Sequence, residues 1–185
     1  MKHHNYSGGA IGSDMLFELE GVKYGVKTTA YSFYGHNTIS KNKWNLTSQQ
    51  LEEGYQHIKI SNNSLNRNIT NISSYVKKLL CRNWFQVKNS DCIFAIGNIS
   101  DDFKFVKSGT GWAVQMSIDN NKPVFLFEQN ENSWFEYSYE EQKFVKINYI
   151  PKLTKNFAGI GTREINENGK KAIIELFKEN FDDKR

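Results

Sequence analysis

Three short segments carry residue types suited to holding an anion: Ser7-Gly8-Gly9-Ala10, Ser108-Gly109-Thr110-Gly111 and Gly159-Ile160-Gly161-Thr162. Glycine allows close backbone approach and positive φ. A helix starting just after such a turn presents unpaired N–H groups and the positive end of its dipole. The Ser and Thr hydroxyls add donors. One such turn has little weight, because turns need glycine whether or not a ligand is present. Three of similar composition, each between a strand pattern and a helix pattern, point to a shared site for phosphate or another anion. None is a P-loop, since no Gly-Lys-Ser/Thr follows, and none is a G-x-G-x-x-G dinucleotide fingerprint. The third turn continues into Arg163 and Glu164. Glu164 there is either an acid or base for catalysis or an ordinary first-turn helix carboxylate. Phe33, Tyr34 and His36 follow a predicted strand, so they too belong at the strand-end edge. Phe33 or Tyr34 would stack on a base and His36 would reach a phosphate; the alternative is a core Phe33 and an exposed loop histidine. Trp112 is either a pocket wall or, more in keeping with its size, core. His3, His4 and His57 lack metal-ligand spacing, so no metal is expected.

The elements that must position these residues follow from the apolar pattern. Residues 2–7 predict a first strand. A helix follows with Met15, Leu16, Leu19 and Val22 as its apolar face and Gly25 as its stop. Val26–Phe33 is rich in β-formers, and 34–46 is expected to be loop. Thr47 with Gln49-Gln50 opens a helix over 47–60. The Asn- and Ser-rich stretch 61–68 predicts a break, and 69–86 a longer helix. Asp91–Gly97 is a strand buried on both faces. A short helix follows the second glycine turn, then a second buried strand at Val124–Phe127. Two aromatic segments within 133–147 form a β-hairpin, and a strand ends in the third turn. Asn166 or Asn168 caps a final helix, and the polar tail 182–185 is expected to fray. Strands alternating with helices predict an α/β fold: a Rossmann-like, mostly parallel sheet, helices on both faces, with an appended β-hairpin. In a parallel sheet all three glycine turns then lie at one edge.

Size and composition narrow the reading. The chain of 185 residues fits a single domain over 1–185. Its 14% aromatic content argues against disorder. No apolar run reaches the roughly 18–20 residues of a membrane span. The N-terminus lacks the apolar region of a signal peptide, and the only cysteines are Cys81 and Cys92, too few for a disulfide scaffold. A cytoplasmic, intracellular setting is therefore expected. The net charge of +4 is modest, and the Lys41/Lys43/Trp44 cluster is small, so nucleic acid is not the expected partner.

With the residues and spacing in view, Ser7-Gly8-Gly9-Ala10-Ile11-Gly12-Ser13-Asp14 resembles the first glycine motif of the SLOG superfamily. This Rossmann-like group holds the lonely-guy phosphoribohydrolases, the DprA/Smf proteins and nucleotide-sensing domains of bacterial defence systems. Arg82-Asn83 on a helix, the strand Asp91–Gly97, the turn Ser108–Gly111 and the start of the next strand at Lys122-Pro123-Val124 extend the similarity. It covers most of residues 5–129 and, more loosely, 157–177. The resemblance implies that Ser7, Gly8 and Gly9 contact phosphate, and that Gly109, Thr110 and Gly111, with Ser108, contact the other side of the ligand. It implies Asp14 near sugar hydroxyls or bracing the loop, and Arg82 pairing with phosphate as a fork. It also implies a dimer or larger homo-oligomer.

The sequence departs from lonely-guy hydrolases where it matters for turnover. Their second turn is similar to P-G-G-x-G-T-x-x-E, whereas this chain runs Ser108-Gly109-Thr110-Gly111-Trp112-Ala113-Val114-Gln115 with no carboxylate. The expected function is therefore binding: sensing or sequestering a nucleotide or an ADP-ribose-type signalling nucleotide, without cofactor. A phage-encoded anti-defence sponge acting in an infected bacterial host is one form of it, by family analogy alone. The alternative is an N-glycosidic-bond hydrolase or transferase on nucleosides or nucleoside monophosphates. Glu164 or Asp14 would then be the carboxylate and Arg82 or Arg163 the phosphate clamp. A DprA-like single-stranded DNA binder would need a larger basic stripe than this chain offers.

Overall fold

A computed structural model of the chain describes residues 2–182. The element order is β1 (His4–Ser7), α1 (Ser13–Lys23), β2 (Lys27–Ser32), β3 (Lys43–Asn45), α2 (Ser48–Leu65), α3 (Ser74–Asn89), β4 (Cys92–Gly97), α4 (Thr110–Asp119), β5 (Val124–Glu128), β6 (Ser133–Ser138), β7 (Lys143–Lys146), β8 (Asn156–Gly161) and α5 (Glu167–Phe181). The fold is α/β and Rossmann-like. Its eight strands lie in the order β3-β2-β1-β8-β4-β5-β6-β7. Strands β3 to β5 in that order are parallel, and the β6–β7 hairpin adds two antiparallel ladders at one side.

The central strands explain the architecture. All six residues of β4, Cys-Ile-Phe-Ala-Ile-Gly, are buried, as a strand covered on both faces must be. On one face Phe94 and Ile96 pack with Phe17 of α1 and Ile173, Leu176 and Phe177 of α5. On the other, Ile93 and Ala95 meet Leu80, Trp84 and Val87 of α3 and Ala113 and Met116 of α4. Helix α2 lies outside these two, tied to α4 where Ser61 and Ser64 donate to Asp119 at 2.7 and 2.8 Å. Cys81 and Cys92 are free, buried thiols. Among the described residues no helix is long and apolar enough to cross a membrane.

Several boundaries move. Helix α2 runs through the expected break to Leu65 and ends where Asn66 turns left-handed (φ 48°), because its serines are engaged on Asp119. Helix α3 starts five residues late, at Ser74, capped by Ser73. Ile69 and Ile72 instead pack on the core from a turn. The expected loop 34–46 holds the edge strand β3, whose three residues are all exposed, so no alternation marked it. In α1 only part of the expected apolar face turns inward, Leu16 packing on the core. Phe17, Glu18 and Gly21 point inward, while Leu19 and Val22 are 55% and 68% exposed. Asn166, rather than Asn168, caps α5, its side chain accepting from Gly169 N at 2.9 Å. Of the tail expected to fray, residues 183–185 lie outside the described residues.

Candidate functional site

The chain builds β1, β2 and β3 in one direction from β1, and β5, β6 and β7 in the other from β4. The reversal opens a crevice beyond the carboxyl ends of β1, β8 and β4, where ligands bind in open α/β sheets. It has a volume of about 450 Å³, within the range of small-molecule sites. Its floor is the turn after β1 and the end of β8. Helix α3 forms one wall with Val76, Leu79, Leu80, Arg82, Asn83 and Gln86. The N-terminus of α4 forms the other, with Ser108, Gly109, Thr110 and Ala113. Arg163 and Glu164 stand at the rim.

Arg82 is the dominant group. It is 6% exposed. Its Nη1 donates to Gln86 Oε1 at 3.0 Å, and Gln86 in turn reaches the carbonyl of Tyr6 in β1. Its buried Nε has no acceptor in the protein. Burial pushes the guanidinium pKa down and the Asp14 carboxylate pushes it back up; an arginine keeps its charge in any case. A Cβ on Gly8 would overlap Arg82 Nη1 and lie 2.6 Å from Asp14 Oδ2. The glycine is thus what lets guanidinium and carboxylate close on the same point of the β1 turn.

Asp14 closes the first glycine turn from within. Its Oδ2 accepts from Gly8 N and its Oδ1 from Gly161 N, both at 3.1 Å, and Ala10 donates as well. One carboxylate therefore occupies the backbone donors of the first and third turns, and locks those turns together. Burial raises its pKa to about 6, against the opposing pull of Arg82 and of the backbone donors. Ser13 adds a second tie between the turns, its N and Oγ both donating to Thr162 O.

The second turn is open by contrast. A Cβ at Gly109 would meet nothing, and the start of α4 carries no side-chain cap. Gly111 is there for close approach, since a Cβ would overlap the Val106 carbonyl. The turn is held from behind by Arg67, whose guanidinium donates to Ser108 O at 3.0 Å and Val106 O at 3.2 Å.

Of the residues singled out in the sequence, Asp14, Arg82, Ser108, Gly109, Thr110, Arg163 and Glu164 line one crevice. Ser7, Gly8, Gly9, Phe33, His36 and Gly111 do not line it. Ser7 Oγ donates to Glu18 at 2.6 Å and accepts from Gly9 N at 2.9 Å; the buried Glu18 takes a second hydroxyl, Ser40, at 2.6 Å. The carbonyl of Gly9 is covered by Thr38 Oγ1 at 2.6 Å. The first turn thus has its N–H groups satisfied by the protein's own side chains. Phe33 is 1% exposed and packed by the rings of His36 and Tyr75. His36 is buried, with Nδ1 at 2.9 Å from Ser32 Oγ. Burial first, then Arg82, Lys43 and Arg163, push its pKa down to about 4, so it is neutral at pH 7 and brings no charge to a phosphate. Trp112 is core.

Motif reading does not pick out Arg67, Gln86 or the apolar trio Val76, Leu79 and Leu80 as site residues. The i, i+4 spacing of Arg82 and Gln86 on a predicted helix is a usable signal; Arg67 falls within the stretch expected to break. Among the described residues no group of three or more His, Cys, Asp or Glu is arranged to hold a metal ion. No family model matches the chain, and no curated protein or solved structure does.

Proposed function

We propose that the crevice binds a nucleotide or an ADP-ribose-type signalling nucleotide, and that the protein senses or sequesters it. The observation that carries this reading is Arg82: a buried guanidinium with an unmet donor, facing a crevice at the N-terminus of a helix. An unpaired buried donor on a charged group is costly, and an anionic oxygen supplied by a ligand removes that cost. The apolar wall from Val76 to Leu80 suits the face of a base, while Asp14 and Thr162 suit sugar hydroxyls. The resemblance of the first glycine motif to SLOG proteins points the same way. Heat release after incubation with nucleotide pools and cyclic ADP-ribose isomers, read by mass spectrometry, tests the proposal. One intact nucleotide should be recovered, and none from Arg82→Met protein. Failure to retain any nucleotide removes the reading.

A second reading, cleavage or transfer at an N-glycosidic bond, has one observation in its favour. Asp14, with a pKa of about 6, and Glu164 share the crevice, and a carboxyl raised toward neutrality suits general acid work. Free base with ribose phosphate in the same experiment would select it. A homo-oligomer completes the proposal, supported by the outward Ile11, Leu19 and Val22 at α1.

A further inference from the structure

The charges that line the crevice set the kind of phosphate it takes. The lining contains two guanidiniums, Arg82 and Arg163, and two carboxylates, Asp14 and Glu164, and no lysine or histidine. These side chains cancel. What remains is the N-terminus of α4, with the equivalent of roughly half a positive charge, beside the Arg82 guanidinium, whose Nε is buried without an acceptor in the protein. Asp14 cannot swing away, because backbone N–H groups of both glycine turns hold its two oxygens. A ligand oxygen that reaches Arg82 from the crevice arrives in a site that the fixed Asp14 carboxylate also lines, the Arg82 Nη1 and Asp14 Oδ2 lying close together at Gly8. One negative charge is matched there, and a second meets Asp14 at close range in a partly dehydrated site, where charges interact strongly.

We infer that the crevice selects a phosphodiester monoanion over a phosphomonoester dianion, with Asp14 as the residue that enforces the choice. This rests on the nucleotide-binding reading above and narrows it to ligands whose phosphate carries a single charge, as cyclic or internally linked nucleotides do. The charged groups acting on Asp14 are Arg82 from α3 and Glu18 from its own helix. Arg163 and Glu164 face the crevice from the turn after β8, and His36, from the loop after β2, is neutral. A phosphomonoester has a second pKa of about 6, so it and Asp14 both lose their charge conflict when the pH falls below that value.

The test compares nucleoside 5′-monophosphates with their 5′-phosphate methyl esters, which have nearly the same shape and one charge fewer. Calorimetry at pH 8 should show the methyl ester of the best base binding at least about tenfold more tightly than its parent. Asp14→Asn should abolish or invert that ratio. On wild-type protein alone, lowering the pH to 5.5 should bring the two affinities together. A parent monoester that binds wild-type protein as well as its ester at pH 8 overturns the inference and leaves nucleotide binding standing. No binding by any member of the series, together with no nucleotide or cyclic ADP-ribose isomer retained in the heat-release experiment, overturns both.

Discussion

At the scale of single residues, two glycines of similar sequence context have different jobs. Gly8 is wedged against Arg82 and Asp14, whereas a side chain at Gly109 enters open space. Gly8→Ala should displace the guanidinium and lower stability by about 1–3 kcal/mol, in the manner of an overpacked core position. Gly109→Val should keep the wild-type melting temperature within a few degrees and still weaken nucleotide binding at least tenfold, by filling the mouth of the crevice. Thermal denaturation and calorimetry on the same preparations check both; equal loss of stability in the two variants would contradict this division. The pH dependence is also set by single residues. Asp14 has its pKa raised from 3.8 to about 6, so its contribution to stability is full below about pH 4 and is lost as the pH rises through 6. By linkage the loss at pH 7 is about 3 kcal/mol. His36 runs the other way: with its pKa lowered from 6.5 to about 4, its contribution is present above pH 6.5 and is lost as the pH falls toward 4. Relative to wild type, Asp14→Asn should gain stability between pH 4 and pH 7, and denaturant titrations at those two pH values measure it. The sequence made Asp14 and Arg82 legible because a motif and a helix placed them. It could not show that Ser7 answers to Glu18, eleven residues on, or that Phe33 and His36 close on each other, because those choices are made by packing.

At the scale of elements, burial and hydrophobicity part company in α1. Asp14, Glu18 and Glu20 are buried, while Leu19 and Val22 face outward. The apolar periodicity of this helix places Leu16 on the core but misplaces Leu19 and Val22, since the first glycine turn and Ser7 and Ser40 draw its carboxylates inward. Met15, Leu19 and Val22 recur at helical spacing on α1, with Ile11 exposed in the turn before it, the kind of stripe that pairs helices. Replacing both Leu19 and Val22 by Glu should convert a dimer or larger assembly to monomer in size-exclusion chromatography with light scattering, at a stability cost of less than about 1 kcal/mol. A wild-type protein that runs as a monomer would remove the oligomer from the proposal. The buried strands β4 and β5 were legible because an unbroken apolar run has few other readings. Strand β3 was not, having no buried face, and the full extent of α2 was hidden because its last turn is held by Asp119, far away in sequence.

At the scale of the whole molecule, the parallel sheet and its crevice were readable from the alternation of elements, but the strand order was not. Strand β8 is the last in sequence and sits in the middle of the sheet, paired with β1 on one side and β4 on the other. Without it, β3-β2-β1 and β4-β5-β6-β7 share no ladder, and each exposes an unpaired edge of the kind that invites aggregation. A chain that has not yet placed residues 156–161 between β1 and β4 has no ladder to join its two sets of strands. Only with β8 in place does Gly161 reach Asp14 and the crevice acquire its floor. Closure joins residues some 150 positions apart, and such distant pairing is slow. A chain that still lacks this closure therefore exposes both edges, the kind of species on which chaperones act.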